Sequence, residues 1–129
     1  MIAKDIMTRE VITVSPKTTV KKLAMILIKN QISGVPVAGR NGKIIGIVSE
    51  ADIVAKKGKD VRAIMSTKVI SVGEETFVEE IARIMTTHKI KRVPVMRGDE
   101  VVGVVSRADI VNAIAMGKHI ALHTPVYDL

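Results

Sequence analysis

The chain has no cysteine and no tryptophan, and among its 129 residues there are one tyrosine, one phenylalanine and four prolines. Without cysteine there can be no disulfide, no thiolate metal site and no cysteine nucleophile. With so few aromatic rings the chain lacks the stacking platforms on which single-stranded nucleic acids are held. Long apolar runs are also missing. The longest, Leu23 to Ile28, is far short of the about 20 residues that a membrane-spanning helix needs. The opening residues, Met1-Ile2-Ala3-Lys4-Asp5, lack the apolar core of a secretory signal, so a cytoplasmic protein with no membrane partner is expected.

What is present points to a packed domain. Hydrophobic residues make up 47% of the chain, enough for a core at this length. Lysine and arginine number 20 against 13 acidic residues, a net charge of +7 that favours anionic partners such as nucleotides, nucleic acid or acidic proteins.

The dominant feature is an internal repeat. A shift of 58 places lays Ile6-Met7-Thr8 on Ile64-Met65-Ser66, Val11-Ile12-Thr13-Val14 on Val69-Ile70-Ser71-Val72, and Val35-Pro36-Val37 on Val93-Pro94-Val95. One residue is then lost in a turn. A shift of 57 lays Gly46…Ser49…Asp52 on Gly103…Ser106…Asp109. Each copy reads as β-α-β-β-α. Val11 to Val14 is a short strand, and Thr18 or Thr19 caps a helix running to about Asn30. The second copy offers Thr76-Phe77-Val78-Glu79 as a capping box. The Val-Pro-Val strands turn back at Arg40-Asn41-Gly42-Lys43 and Arg97-Gly98-Asp99-Glu100 into return strands Ile44 to Val48 and Val101 to Val105. Helices follow, ending near Gly58 and Gly117. The fold class is therefore α/β (α+β). The expected organisation is repeat 1 over 1–58, repeat 2 over 59–117 and a tail over 118–129. One repeat alone is too small for more than marginal stability, so the two are expected to pack sheet to sheet with pseudo-two-fold symmetry as one composite module.

Each return strand runs into a helix N-terminus carrying a hydroxyl and, three residues on, a carboxylate. Free N–H groups at such a point favour phosphate, and a carboxylate beside it can accept hydrogen bonds from sugar hydroxyls. The plainer reading of Ser-x-x-Asp is a helix cap, in which Asp52 and Asp109 bond only their own main chain.

The tandem units, the Ile-Met-Thr and Ile-Met-Ser openings, the two Val-Pro-Val segments and the two Gly-x-x-Ser-x-x-Asp segments together resemble a pair of CBS domains, a Bateman module, over roughly residues 1 to 117. The resemblance implies two clefts that take adenosine derivatives: AMP, ADP, ATP and sometimes S-adenosylmethionine. It implies that the aspartate holds the ribose and that the serine lies near the phosphate. By that pattern one site comprises Gly34, Val35, Pro36, Ser49 and Asp52, completed by Ile70. The other comprises Lys91, Arg92, Val93, Pro94, Ser106 and Asp109, completed by Ile12. Lys91-Arg92 stands where the first copy has Ser33-Gly34, so the Asp109 site is expected to prefer phosphorylated ligands and the Asp52 site to be empty or to take a neutral or cationic adenosine compound. The implied function is a regulatory sensor of energy state or a metabolite, working as a homodimer through an unidentified effector protein. No cofactor is required, and no catalytic residue or metal site is expected. The alternative is a nucleic-acid or protein interaction module that keeps the fold without a ligand. His119 and His123, four apart, have no evident third ligand. Lys56 to Lys59 reads as a solvated linker, and the methionines Met7, Met25, Met65, Met85 and Met96 as core fillers.

Overall fold

The computed structural model describes residues 1–117. The tail over 118–129, with His119 and His123, lies outside the described residues. The chain is mixed α/β and forms two compact units: Val11–Ile70, and Met1–Glu10 together with the described chain after Ile70. These units do not follow the repeat. Each takes its opening Ile-Met segment from the other copy, so the chain passes from one unit to the other after Glu10 and again after Ile70.

In the unit Val11–Ile70, α2 (Val20–Asn30) follows the short α1 (Ala3–Ile6) of the other unit. Thr19 caps α2, its hydroxyl accepting the Lys22 N–H at 3.1 Å. Leu23 and Leu27 are buried on the inner face, while Lys21, Lys22 and Lys29 stay in solvent, as the helical period requires. The hairpin of β1 (Gly34–Ala38) and β2 (Ile44–Ser49) turns at Arg40–Gly42 and leads into α3 (Glu50–Ala55), and α4 (Val61–Ile64) follows. The core is Val14, Leu23, Leu27, Val35, Val37, Val48, Val61 and Ile64. Val61 and Ile64, with 0% and 1% of their surface exposed, belong by sequence to the second repeat.

The other unit repeats the plan with β3 (Val72–Gly73), α5 (Val78–His88), β4 (Arg92–Arg97), β5 (Glu100–Ser106) and α6 (Arg107–Ala115). Its three-stranded sheet has the order β3-β4-β5, parallel then antiparallel. Ala3 and Met7 from the chain start are buried in its core beside Val78, Ile81, Val93, Val95 and Val105.

Several local expectations change. The opening strands shrink to one bridging residue, Val14, in the first unit and to two residues in β3. Proline explains this. Val14 donates to the Pro36 carbonyl and accepts from the Ala38 N–H, at 3.2 and 2.8 Å. The next rung toward Ile12 would need an N–H from Pro36, which has none. Pro94 stops the β3 ladder at Val72 in the same way, and this is how a proline sits inside a central strand. The Thr76–Glu79 capping box does not form. Phe77 holds the N-cap position without a side-chain bond, and the Thr76 hydroxyl instead accepts from the Gly73 N–H at 3.0 Å. Gly58 caps no helix. A Cβ there would lie 2.5 Å from the Ala63 Cβ, so close packing excludes a side chain. Gly117, at φ +78°, does follow α6 in the left-handed region. Met25 is exposed rather than a core filler.

Candidate functional site

The hairpins bring the two motifs of each repeat together. Gly34 pairs with Ser49 in β1–β2, and the Glu50 N–H donates to the Ser33 carbonyl at 2.9 Å. Arg92 pairs with Ser106 in β4–β5, and the Arg107 N–H donates to the Lys91 carbonyl at 2.9 Å. The start of each Val-Pro strand therefore lies beside the serine that opens the following helix. Gly34, Ser49 and Asp52 are half-buried in one unit, as are Arg92, Ser106 and Asp109 in the other, while Lys91 is exposed. Val35, Pro36, Val93 and Pro94 are buried. Ile70 is half-buried in the same unit as Asp52. Ile12 is half-buried against the Val14–Leu23 core, in the other unit from Asp109.

Both carboxylates spend one oxygen on their own helix start. Asp109 Oδ2 accepts the Ser106 N–H at 2.8 Å, and the Asp109 N–H donates to Ser106 Oγ at 3.1 Å, a reciprocal cap. Asp52 Oδ2 accepts the Ser49 N–H at 2.9 Å and the Ser49 hydroxyl at 3.3 Å. The capping reading thus holds for one oxygen of each. The second oxygens differ. Asp109 Oδ1 faces the hydroxyl of the exposed Thr8 at 3.5 Å, a long contact. Asp52 Oδ1 forms an ion pair with Lys56 Nζ at 2.9 Å, and the same ammonium donates to the Ile64 carbonyl at 3.1 Å. Lys56 is therefore no part of a simple solvated linker. Its four-residue spacing from Asp52 is the ordinary signal for a helix-face pair. Thr8 was visible only as part of a repeated opening with no assigned task.

The glycine of each motif also acquires a reason. A Cβ at Gly103 would stand 2.4 Å from Met7 Sδ, and one at Gly46 would stand 2.8 Å from both Met65 Sδ and the Ser66 carbonyl oxygen. The Ile-Met openings pack against these glycines and bridge to the neighbouring residue, Thr8 to Val104 and Ser66 to Ile47. Packing and bridge set Thr8 against Asp109.

A separate cavity of about 460 Å³ lies between α5 and α6, lined by Met85, Lys89, Ile110 and Ile114 among others and by none of the expected site residues. Among the described residues there is no group of three or more histidines or acids placed to hold a metal, and no helix is long and apolar enough to cross a membrane.

Comparison with known proteins places this arrangement in a family. The CBS domain matches residues 3–58 and 61–116. The chain belongs to the CBS-domain family, as a tandem pair. It is 30% identical over 114 residues to the CBS domain-containing protein YhcV of Bacillus subtilis, covering 83% of this chain and 81% of that protein. It is 37% identical to an inosine-5'-monophosphate dehydrogenase of Korarchaeum cryptofilum, but there the match spans 84% of this chain and only 23% of the enzyme. Among solved structures, the CBS domain pair of protein MJ0100, in complex with 5'-methylthioadenosine and S-adenosyl-L-methionine, superposes with a TM-score of 0.86 at 32% identity, over 92% of this chain and 98% of that one. CBSX2 in complex with AMP superposes with a TM-score of 0.85 at 26% identity, over 92% and 98%.

Proposed function

We propose that this chain is a regulatory module that binds an adenosine nucleotide of the AMP, ADP or ATP type and passes its occupancy to a partner protein. The observation that carries the reading is the second oxygen of Asp109. Among the described residues it is held by no more than a 3.5 Å contact to an exposed threonine, at the start of a nine-residue helix and beside Lys91 and Arg92. A carboxylate so placed can accept from a ribose hydroxyl while its other oxygen keeps the helix capped. The partial positive charge of the helix start and the two cations suit a phosphate. Adenosine compounds in the MJ0100 and CBSX2 pairs support the ligand class. S-adenosylmethionine is the less favoured ligand here because it brings a positive charge to a basic chain. Arg92 at the start of β4 and Ser106 at the start of α6 would border the same ligand. At the second site Asp52 would take the ribose and Ser49 would lie near the phosphate, with Gly34 and Ile70 in the same unit.

The module regulates rather than catalyses, works in the cytoplasm, and acts as a homodimer on an effector protein. The ligand shifts its conformational balance only by the difference in affinity between states. Isothermal titration calorimetry with AMP tests the assignment. Asp109→Asn is expected to weaken binding by about 1.5–3 kcal/mol, the worth of a hydrogen bond to a charged group. Unchanged affinity removes Asp109 from the site. The rival reading, an interaction module without a ligand, draws on the net charge of +7. It predicts no thermal shift with any adenosine compound and a steeply salt-dependent affinity for nucleic acid.

A further inference from the structure

The two repeats are matched closely enough to ask what sits at each position around the carboxylates. The shift of 57 that carries Asp52 onto Asp109 carries Lys56 onto Ala113, an uncharged residue only 6% exposed. So one carboxylate has a cation built in one helical turn away, and its counterpart has none. Lys56 is held at both ends of its reach, by Asp52 Oδ1 at 2.9 Å and by the Ile64 carbonyl at 3.1 Å. The second anchor keeps the ammonium in place, where a free surface lysine would sample many rotamers.

We propose that Lys56 sets the order in which the two sites fill: Asp109 takes a ribose diol first, and Asp52 takes one only by giving up its own lysine. The inference rests on the adenosine reading above and adds to it a residue that ranks the sites. A diol needs a lone pair that is free. At Asp109 the competitor is a threonine hydroxyl at the edge of hydrogen-bond range. At Asp52 it is an ammonium at full ion-pair distance. The Lys56 and Asp52 side chains are 45% and 17% exposed, so the pair is partly screened by water. Its loss accordingly handicaps the Asp52 site by a factor of about two to five rather than closing it.

Calorimetric titration of the full chain with adenosine tests this, because a neutral nucleoside leaves Lys56 no phosphate to attract. The wild type is expected to show a tight and a weak site, the tight one lost in Asp109→Asn. Lys56→Met should strengthen the weak site by about two- to fivefold and leave the tight one alone, while Lys56→Arg keeps the wild-type order. Added salt should also strengthen the weak site in the wild type, through screening of the ion pair, and have no such effect in Lys56→Met. A purely structural lysine would not produce that salt response. A melting curve checks that Lys56→Met stays folded. Two equal sites in the wild type, or a weak site unmoved by Lys56→Met in a protein that still melts normally, overturn the inference and leave the nucleotide reading standing. If neither wild type nor Lys56→Met takes up adenosine or AMP, the nucleotide reading itself falls and this inference goes with it.

Discussion

At the residue scale, the glycines before the Ser-x-x-Asp segments set tight steric limits. The two are not equivalent. At Gly103 the atoms a Cβ would strike all belong to the Met7 side chain, which can move. At Gly46 one of the two nearest atoms is the Ser66 carbonyl oxygen, which also accepts the Ile47 N–H at 2.9 Å. A carbonyl held in a bridge cannot step aside without losing its bond. Both Gly46→Ala and Gly103→Ala are expected to destabilise by about 1–3 kcal/mol, the usual cost of overpacking, with Gly46→Ala the worse. Urea midpoints in the reverse order would show that the methionine contact, not the carbonyl, is the stiff one. A second residue-scale pair contributes to acid sensitivity. Arg97 donates two hydrogen bonds to the Glu74 carboxylate, Nε to Oε1 at 2.8 Å and Nη2 to Oε2 at 2.9 Å. Those bonds, more than the general charge attraction, hold the Glu74 carboxyl below its ordinary range. A carboxyl depressed on folding contributes stability above its unfolded value and loses it as pH falls through the folded one. Stability should therefore fall in acid, and less so in Glu74→Gln, which has no charge to lose. Parallel acid titrations of the two proteins check this.

At the element scale, the duplicated helices α2 and α5 make a comparison within one chain. They are of equal length, 11 residues each, and both end on a non-glycine residue in the left-handed region, Gln31 and Lys89. Their starts differ. Thr19 caps α2 through its hydroxyl, whereas Phe77, the residue at the matching position of α5, has no polar atom to offer and leaves its ring 65% exposed. Replacing Phe77 by threonine supplies the missing acceptor and exposes no core. The expected gain is about 0.5–2 kcal/mol, the same as the expected loss in Thr19→Ala. Thermal melts that fail to rise in Phe77→Thr would mean that the ring makes a contribution its exposure hides. Element by element, much was legible in the sequence. The register of the repeat carried both hairpins, and periodicity placed α2 within a residue of its bounds. What escaped was what the unaided chain does not announce. The length of a parallel ladder is decided by a partner strand, and Pro36 ends it from the other side. The Thr76 hydroxyl bonds the Gly73 N–H in the turn rather than the helix start. Lys56 reads from sequence as part of a solvated linker, and only the folded chain shows it paired with Asp52 and held by the Ile64 carbonyl.

At the scale of the whole molecule, the least legible fact is which copy of each opening segment packs where. Matching a repeat to itself shows that Met7 corresponds to Met65 and Gly46 to Gly103. It does not say whether a methionine meets the glycine of its own copy or of the other, since the contact is chemically the same. The structure pairs Met7 with Gly103 and Met65 with Gly46. Each core is therefore built from both repeats, and neither repeat holds a full set of its own core residues. Ile64 is the sharpest case. By sequence it belongs to the second repeat, yet it is 1% exposed in the core with Leu23, Val35 and Val48 of the first. Ile64→Ala should cost about 2–5 kcal/mol, as buried isoleucine truncations do. The location of the damage is the stronger test. Native-state hydrogen exchange reports opening region by region. In Ile64→Ala the amides of α2 and β2 should exchange faster, while those of α5 and β5 hold nearer their wild-type rates. Faster exchange confined to α5 and β5 would mean that the repeats fold as the sequence divides them, and that the crossing of the chain after Glu10 and Ile70 is not how the protein is built.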